Sequence, residues 1–279
     1  LGLLGITPDA KTPEEASKEE DSNPLVPEEA DTTPLPQTLF NKAIDAQATW
    51  DSRSFDLATI KGMRAAVKGA TVNDVLLTIV GGGLRNYMEY RDALPQNPMR
   101  AGCPINIRTE GEAGAGGNMI SAMIVSMHTD IAAPLKRLRA ITRSSAAAKL
   151  RAEQRGSRKI LDVAAVVPSQ AQALLGHLAG KVSGKLNRAV QFNCSVSNLP
   201  GPQQDLYMLG GRLHNIAAAM PIMNGYGLFV GLTTCAGSLN ISMSSCNSIL
   251  PDPEKLGDCM EQSFRELLSA TRKQKRKTR

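Results

Sequence analysis

Apolar and polar positions alternate along this chain with two periods, and the changes of period mark its elements. From Val190 to Ser197 the period is that of a strand: Val190, Phe192, Cys194 and Val196 on one face, Gln191, Asn193, Ser195 and Ser197 on the other. The run stops at Leu199-Pro200-Gly201-Pro202, where two prolines remove ladder donors and Gly201 is free to turn. Ser197 and Asn198 are thereby short polar groups held at the end of a rigid strand. Upstream the period is helical. Leu57, Ile60, Met63 and Val67 follow Asp56 as N-cap and are closed by Gly69. A second helix begins after Thr71-Val72, with Asn73 or Asp74 as its cap, and carries Val75, Leu76, Ile79, Val80, Leu84, Tyr87 and Met88. Gly81-Gly82-Gly83 lies inside it at a cost of about 1 kcal/mol per glycine against alanine. Such a helix requires another element packed very closely at that point.

Further on, strands are expected at about 102–108 and 118–128, joined by a loop over 109–117 that contains Gly111, Gly114, Gly116 and Gly117. A long helix runs from Asp130 to about Arg155, and 158–180 reads as helical with a break at Pro168. An extended region follows at 206–218. Then comes a hairpin joining Gly227–Thr234 to Ser238–Ser244 across Cys235-Ala236-Gly237. Asp252-Pro253 starts the last helix, with Leu256, Met260, Phe264, Leu267 and Leu268 on one face. Mixed helices and strands with hairpin connections define an α/β chain of the α+β kind, a mixed sheet covered by helices.

Composition narrows this picture. Hydrophobic residues make up 42% of the 279 and aromatics only 4%, so the core is aliphatic and rich in the 11 methionines. The net charge of +6 hides segregation: residues 1–31 hold nine acids against two lysines, and the last nine residues hold six basic side chains and no acid. With its prolines and few apolar residues, 1–36 reads as an acidic linker, 37–270 as the folded domain and 271–279 as a basic tail. The five cysteines show no CxxC spacing and read as reduced thiols of a cytoplasmic protein. No apolar run reaches the roughly 18–20 residues that span a bilayer.

Candidate chemistry is sparse. His128, His177 and His214 lack paired ligands, so no metal is expected, and no GxSxG, HExxH, Walker A or Rossmann fingerprint occurs. The basic tail offers charge to an anionic membrane surface but no aromatic for base stacking, so nucleic acid is not an expected partner. Nothing nominates a general base.

An ordered set of short motifs adds to this reading. Pro36-Gln37-Thr38-Leu39-Phe40-Asn41, Thr71-Val72-Asn73-Asp74-Val75, Leu84-Arg85-Asn86-Tyr87 and Pro104-Ile105-Asn106-Ile107-Arg108 come first. Ser197-Asn198-Leu199-Pro200-Gly201-Pro202, Gly225-Tyr226-Gly227-Leu228 and Gly237-Ser238-Leu239-Asn240-Ile241 follow. In this order and at these separations, from about 34 to 270, they resemble the C-terminal half of the bacterial wax ester synthase/diacylglycerol acyltransferase family.

The resemblance implies the C-terminal half of a chloramphenicol-acetyltransferase-like fold, with the active site in a tunnel between two halves. It implies acyl-CoA as a substrate, with no other cofactor, and diacylglycerol or a long-chain alcohol as acceptor. The family's His-His-x-x-x-Asp-Gly motif belongs to the N-terminal half and has no counterpart here, so that half is the expected partner. Ser197 and Asn198 are then candidates for the tunnel wall or for oxyanion donors. Asn73, Asp74, Arg108, Pro200, Gly201 and Pro202 are candidates for ordering the site, Arg108 through a charge pair or a CoA phosphate.

Two departures stand out: Thr234-Cys235 replaces the family's Ser-Tyr near the hairpin turn, and a basic residue is missing around Gln47 to Trp50. The absence of an initiator Met fits a fragment that is inactive alone. The rival expectation is a stand-alone, non-catalytic module that binds acyl lipid or docks on lipid inclusions. Either way, peripheral contact with a membrane or inclusion is expected of a cytoplasmic protein.

Overall fold

A computed structural model describes residues 33–106, 120–154 and 190–277. The strands are β1 (Ala48–Asp56), β2 (Arg100–Asn106), β3 (Ile120–Ser126), β4 (Cys194–Leu199), β5 (Tyr207–Met208), β6 (Gly211–Arg212), β7 (Phe229–Cys235) and β8 (Ser238–Cys246). Six of them form one sheet in the order β1-β8-β7-β4-β2-β3, and β5 and β6 form a separate two-stranded hairpin. The helices are α1 (Leu57–Met63, continued as a 3₁₀ turn over Arg64–Ala66), α2 (Val72–Tyr90), α3 (Pro134–Gln154) and α4 (Pro253–Lys277). β4 lies parallel to both β2 and β7, and the other pairs are antiparallel, so the sheet is mixed as expected.

One face of the sheet carries the core. Val196, Val230, Leu232, Leu239, Ile241 and Met243 are at most 3% exposed and meet Leu76, Ile79, Val80 and Leu84 of α2 and Leu256, Met260 and Leu267 of α4 in one cluster. The glycine triplet is explained by close helix packing. A Cβ on Gly81 would lie 2.7 Å from the Met127 carbonyl oxygen, one on Gly82 2.1 Å from Ser263 Oγ, and one on Gly83 2.3 Å from Met260 Sδ. Three partners reach the α2 backbone at successive residues, which only glycine permits.

Several expectations are corrected. β1 has no counterpart in the sequence reading. Its core-facing residues Asp51, Arg53 and Phe55 lie under α4, where Arg53 donates to Asp258 Oδ1 and to the Glu254 carbonyl, both at 3.1 Å. The cap of α2 is Thr71, not Asn73 or Asp74: the Thr71 hydroxyl accepts from Asp74 N–H at 3.2 Å, and Asp74 Oδ2 accepts from Thr71 N–H at 2.8 Å, a capping box.

α3 starts at Pro134, not Asp130, because the carbonyls of 129–132 are bound elsewhere. Thr129 and Asp130 accept from Arg85, while Ile131 and Ala132 accept from the buried Arg137. β4 starts at Cys194, four residues later than the alternation suggested; the Phe192 ring crosses to cover Gly102, on the face opposite Cys194 and Val196. The hairpin loop is Ala236-Gly237 alone, with Cys235 paired to Ser238 and φ of 43° and 87°, a type I′ turn. The basic segment from 271 onward belongs to α4 as far as Lys277. The helix expected at 158–180 and the loop at 109–117 lie outside the described residues.

Candidate functional site

Register alone gathers most of the expected site residues. β1, β2, β4 and β7 run in one direction, so their carboxyl ends share one pole of the sheet with the amino end of β8. α2 runs antiparallel to α4, since Gly82 faces Ser263, Gly83 faces Met260 and the Tyr87 hydroxyl donates to Asp252 Oδ1 at 2.6 Å. The start of α2 therefore lies toward the end of α4. That end belongs to the carboxyl pole, because Lys275 Nζ donates to the Gly62 carbonyl at 3.5 Å and Leu57 N–H donates to Gly237 O at 3.0 Å. Asn73 and Asp74 thus share a pole with Ser197, Asn198, Pro200, Gly201 and Pro202. Arg108 lies outside the described residues.

The turn after β4 is fastened to the end of β7. Gly201 N–H donates to Thr234 Oγ1 at 3.0 Å, and Ala236 N–H donates to Pro202 O at 3.1 Å. A Cβ on Gly201 would stand 2.0 Å from the Thr234 carbonyl oxygen, so this close approach needs glycine. The Thr234-Cys235 departure keeps a hydroxyl at this position, and that hydroxyl holds the Pro-Gly-Pro turn.

Ser197 and Asn198 do not share a face. Ser197 aligns with Gly231 and Asn198 with Leu232, so Ser197 turns away from the helices while Asn198 stands at the open strand end. Ser197 is 7% exposed; Asn198, Leu199 and Pro200 are exposed.

The face on which Ser197 lies is small and polar toward the carboxyl pole, with Ser52 and Ser54 of β1, Gly231 and Thr233 of β7, and Asn240, Ser242 and Ser244 of β8, while Trp50 and Phe229 share it toward the amino pole. An extended segment, residues 213–223, is strapped across it. Ala218 N–H donates to Ser242 Oγ at 3.1 Å, Met220 N–H to Ser244 Oγ at 2.9 Å, and Trp50 Nε1–H to Ala218 O at 3.1 Å. The Thr233 hydroxyl donates to the Ile216 carbonyl. The alternation in β8 is thus not core against solvent but core against strap, and all but its first residue are buried. Ala217, Ala219, Pro221 and Met223 point outward from the strap into solvent, giving it an apolar outer surface.

Sequence reasoning missed a polar hub at the opposite, amino pole. Asn193 is fully buried; its Nδ2 donates to Pro36 O at 2.7 Å and to Asn41 Oδ1 at 2.9 Å, and its Oδ1 accepts from Arg100 N–H at 2.8 Å. Asn41 Nδ2 donates to Gly225 O at 3.0 Å, and Gly227 N–H donates to Phe40 O at 2.8 Å. The Pro-x-Thr-x-x-Asn and Gly-Tyr-Gly motifs are therefore one architectural joint, remote from the turn after β4. The presence of both motifs in a single ordered set was the available signal.

Burial makes the core thiols inert: it pushes Cys103 up to about 12 and raises Cys194 further. His128 has its ring nitrogen 2.8 Å from Ser144 Oγ, and His214 lies exposed in the strap. Among the described residues no cluster suited to a metal occurs. What the carboxyl pole offers is a hydroxyl, an amide and a rigid turn: groups that can donate hydrogen bonds and shape a channel.

Solved structures with the same arrangement place the chain as half of a chloramphenicol-acetyltransferase-like fold. The likeness extends to the epimerization domain of tyrocidine synthetase B, at a TM-score of 0.55 and 14% identity over 86% of this chain and 53% of that one. The WS/DGAT C-terminal domain model matches residues 116–268, and the chain belongs to that family. A putative diacylglycerol O-acyltransferase of Mycobacterium tuberculosis is 31% identical over 238 residues, 84% of this chain and 46% of its own length. The wax ester synthase/diacylglycerol acyltransferase of Marinobacter aquaeolei VT8 superposes with a TM-score of 0.67 at 26% identity, over 87% of this chain and 54% of that one. The chain spans about half the length of these relatives.

Proposed function

We propose that this chain is the C-terminal domain of an O-acyltransferase that moves a fatty acyl group from acyl-CoA to diacylglycerol or a long-chain alcohol, acting with an N-terminal half. The observation that carries the reading is the coverage: most of this chain matches, on relatives named as acyltransferases, only about half of their length. In the reaction, a histidine of the family's His-His-x-x-x-Asp-Gly motif takes the proton of the acceptor hydroxyl. The oxygen attacks the thioester carbonyl, and the CoA thiolate leaves. This domain supplies the other wall. The exposed Asn198 amide serves as a donor toward the developing oxyanion and Ser197, on the other face, belongs to the wall, while the turn locked by Thr234 fixes the strand end that carries both. The outer surface of the strap faces the N-terminal half and borders the tunnel. The enzyme works in the cytoplasm, in contact with membranes or lipid inclusions where its acceptors reside.

The test is an acyl-transfer assay with long-chain acyl-CoA and a long-chain alcohol. This chain alone is expected to be inert, and its mixture with an N-terminal half carrying the paired histidines is expected to turn over. Robust turnover by the chain alone, or none in a mixture shown to form a complex, overturns the reading.

A further inference from the structure

Folding joins two basic segments that are two hundred residues apart in the chain. Arg272, Lys275 and Arg276 lie exposed on the last turns of α4 and, at positions i, i+3 and i+4, share one face. The Lys275 bond to Gly62 sets these turns against α1 and its 3₁₀ continuation, where Lys61 and Arg64 are also exposed. Neither 57–73 nor 267–277 contains an acid. Among the described residues none of these five cations makes a salt bridge. From Phe264, whose ring packs on Phe55 near the end of β1, α4 continues for 13 residues. That length carries its basic end about 20 Å along the helix axis, past the strand ends.

A second feature stands at the same pole. The β5–β6 hairpin leaves the sheet after the Pro-Gly-Pro turn and returns at Leu213, whose carbonyl meets Cys235 at the end of β7. Its two-residue turn is Leu209-Gly210, with φ of 51° and 82°. Leu209 thus holds a conformation that glycine or asparagine normally takes, and its side chain is wholly in water, beside Tyr207 at 67% and Leu206 at 44% exposure. No core contact explains a leucine there.

We propose that this pole docks on an anionic phospholipid surface, with Lys61, Arg64, Arg272, Lys275 and Arg276 on the headgroup phosphates and the Leu209 tip entering the acyl boundary. Cations without an acidic partner, at the same pole as an exposed apolar tip, match such an interface, which offers diffuse negative charge above hydrocarbon. The inference rests on the acyltransferase reading only in that the acceptor would be drawn from this surface.

Co-sedimentation of the full chain with phosphatidylcholine vesicles, with and without phosphatidylglycerol, tests it. Binding is expected only to the anionic vesicles and is expected to weaken as salt rises. At about fivefold per charge, the triple variant R272E/K275E/R276E loses at least about a hundredfold in partitioning, and K61E/R64E on a separate element at least about twentyfold. Leu209→Ser loses about tenfold. Unchanged circular-dichroism melts are expected of these exposed substitutions.

Equal binding to neutral vesicles, or a triple variant that binds like the parent, overturns the proposal. So does an oligonucleotide bound more tightly than anionic vesicles through the same residues. Acyl transfer to a water-soluble alcohol by the reconstituted halves is measured in parallel. Vesicle binding without transfer removes the acyltransferase reading alone, and transfer without vesicle binding removes the docking alone.

Discussion

Thr234 and Gly201 show how one bond and one missing atom set the geometry of a strand end. Thr234→Ser keeps the acceptor for Gly201 N–H and is expected to leave stability nearly unchanged. Thr234→Val removes it and leaves a half-buried donor without a partner, at about 1–2 kcal/mol. Gly201→Ala places a methyl within 2.0 Å of a carbonyl oxygen that belongs to strand backbone and cannot swing aside. A loss of about 2–3 kcal/mol is expected, read from urea midpoints.

Ser197 and Asn198 are separated by the same alternation that brings them to the site, and their roles separate in kinetics. In the reconstituted enzyme, removal of a hydrogen bond made only in the transition state lowers kcat and leaves KM alone, by about a hundredfold for a well-placed oxyanion donor. Asn198→Ala is expected to show that pattern, whereas Ser197→Ala is expected to leave kcat nearly unchanged. A rise in KM with kcat unchanged would assign the residue to substrate binding instead. The turn, its prolines and its polar tip were legible in the sequence because they depend on local backbone chemistry. The Asn193–Asn41 joint was not, since its partners lie about 150 residues apart and each asparagine alone reads as a loop residue.

At the level of elements, glycine has opposite meanings in two helices. Gly82 sits where a Cβ would meet Ser263 and Arg137, whereas a Cβ on Gly62 in α1 would meet nothing within 4 Å. Gly62→Ala is therefore expected to stabilise by about 0.5–1 kcal/mol, since helix propensity is gained in open space. Gly82→Ala gains the same propensity and loses more to overpacking, for a net cost of about 1–3 kcal/mol. Thermal melts of the two variants shifting in opposite directions would establish the contrast.

The sequence announced the triplet because three glycines in a strongly apolar helix are costly without a partner. It did not announce β1. Asp51, Arg53, Trp50 and Phe55 form no apolar alternation, because one face of that edge strand is covered by the polar first turns of α4 and the other by the strap. A Cβ on Gly257 would lie 2.3 Å from Asp51 Oδ2, so at this level helix and strand meet through backbone and ion pairs, and Phe55 on Phe264 is left as a single apolar contact without an alternating partner. The strap was visible only as an extended region at 206–218. Its role depends on hydroxyls of β7 and β8, which in sequence look like an exposed polar face.

For the whole molecule, the two faces of the sheet define different boundaries, and the single tryptophan reports on one of them. The helix face is finished, with its large apolar side chains buried in one cluster. The strap face is finished only as far as its inner layer; Ala217, Ala219, Pro221 and Met223 remain outward, and Trp50 beside them is 44% exposed although its Nε1–H is bound to the strap. An apolar surface of this kind is what a partner domain covers. Titration with the N-terminal half is therefore expected to bury the Trp50 ring, shift its emission to the blue and lower its quenching by acrylamide, in step with the appearance of acyl transfer. Because Trp50 is the only tryptophan in the chain, a histidine half engineered without tryptophan makes the signal unambiguous. A complex that forms and turns over while Trp50 emission and quenching stay unchanged would place the interface elsewhere. The strap would then be an outer surface of the enzyme and not a tunnel wall.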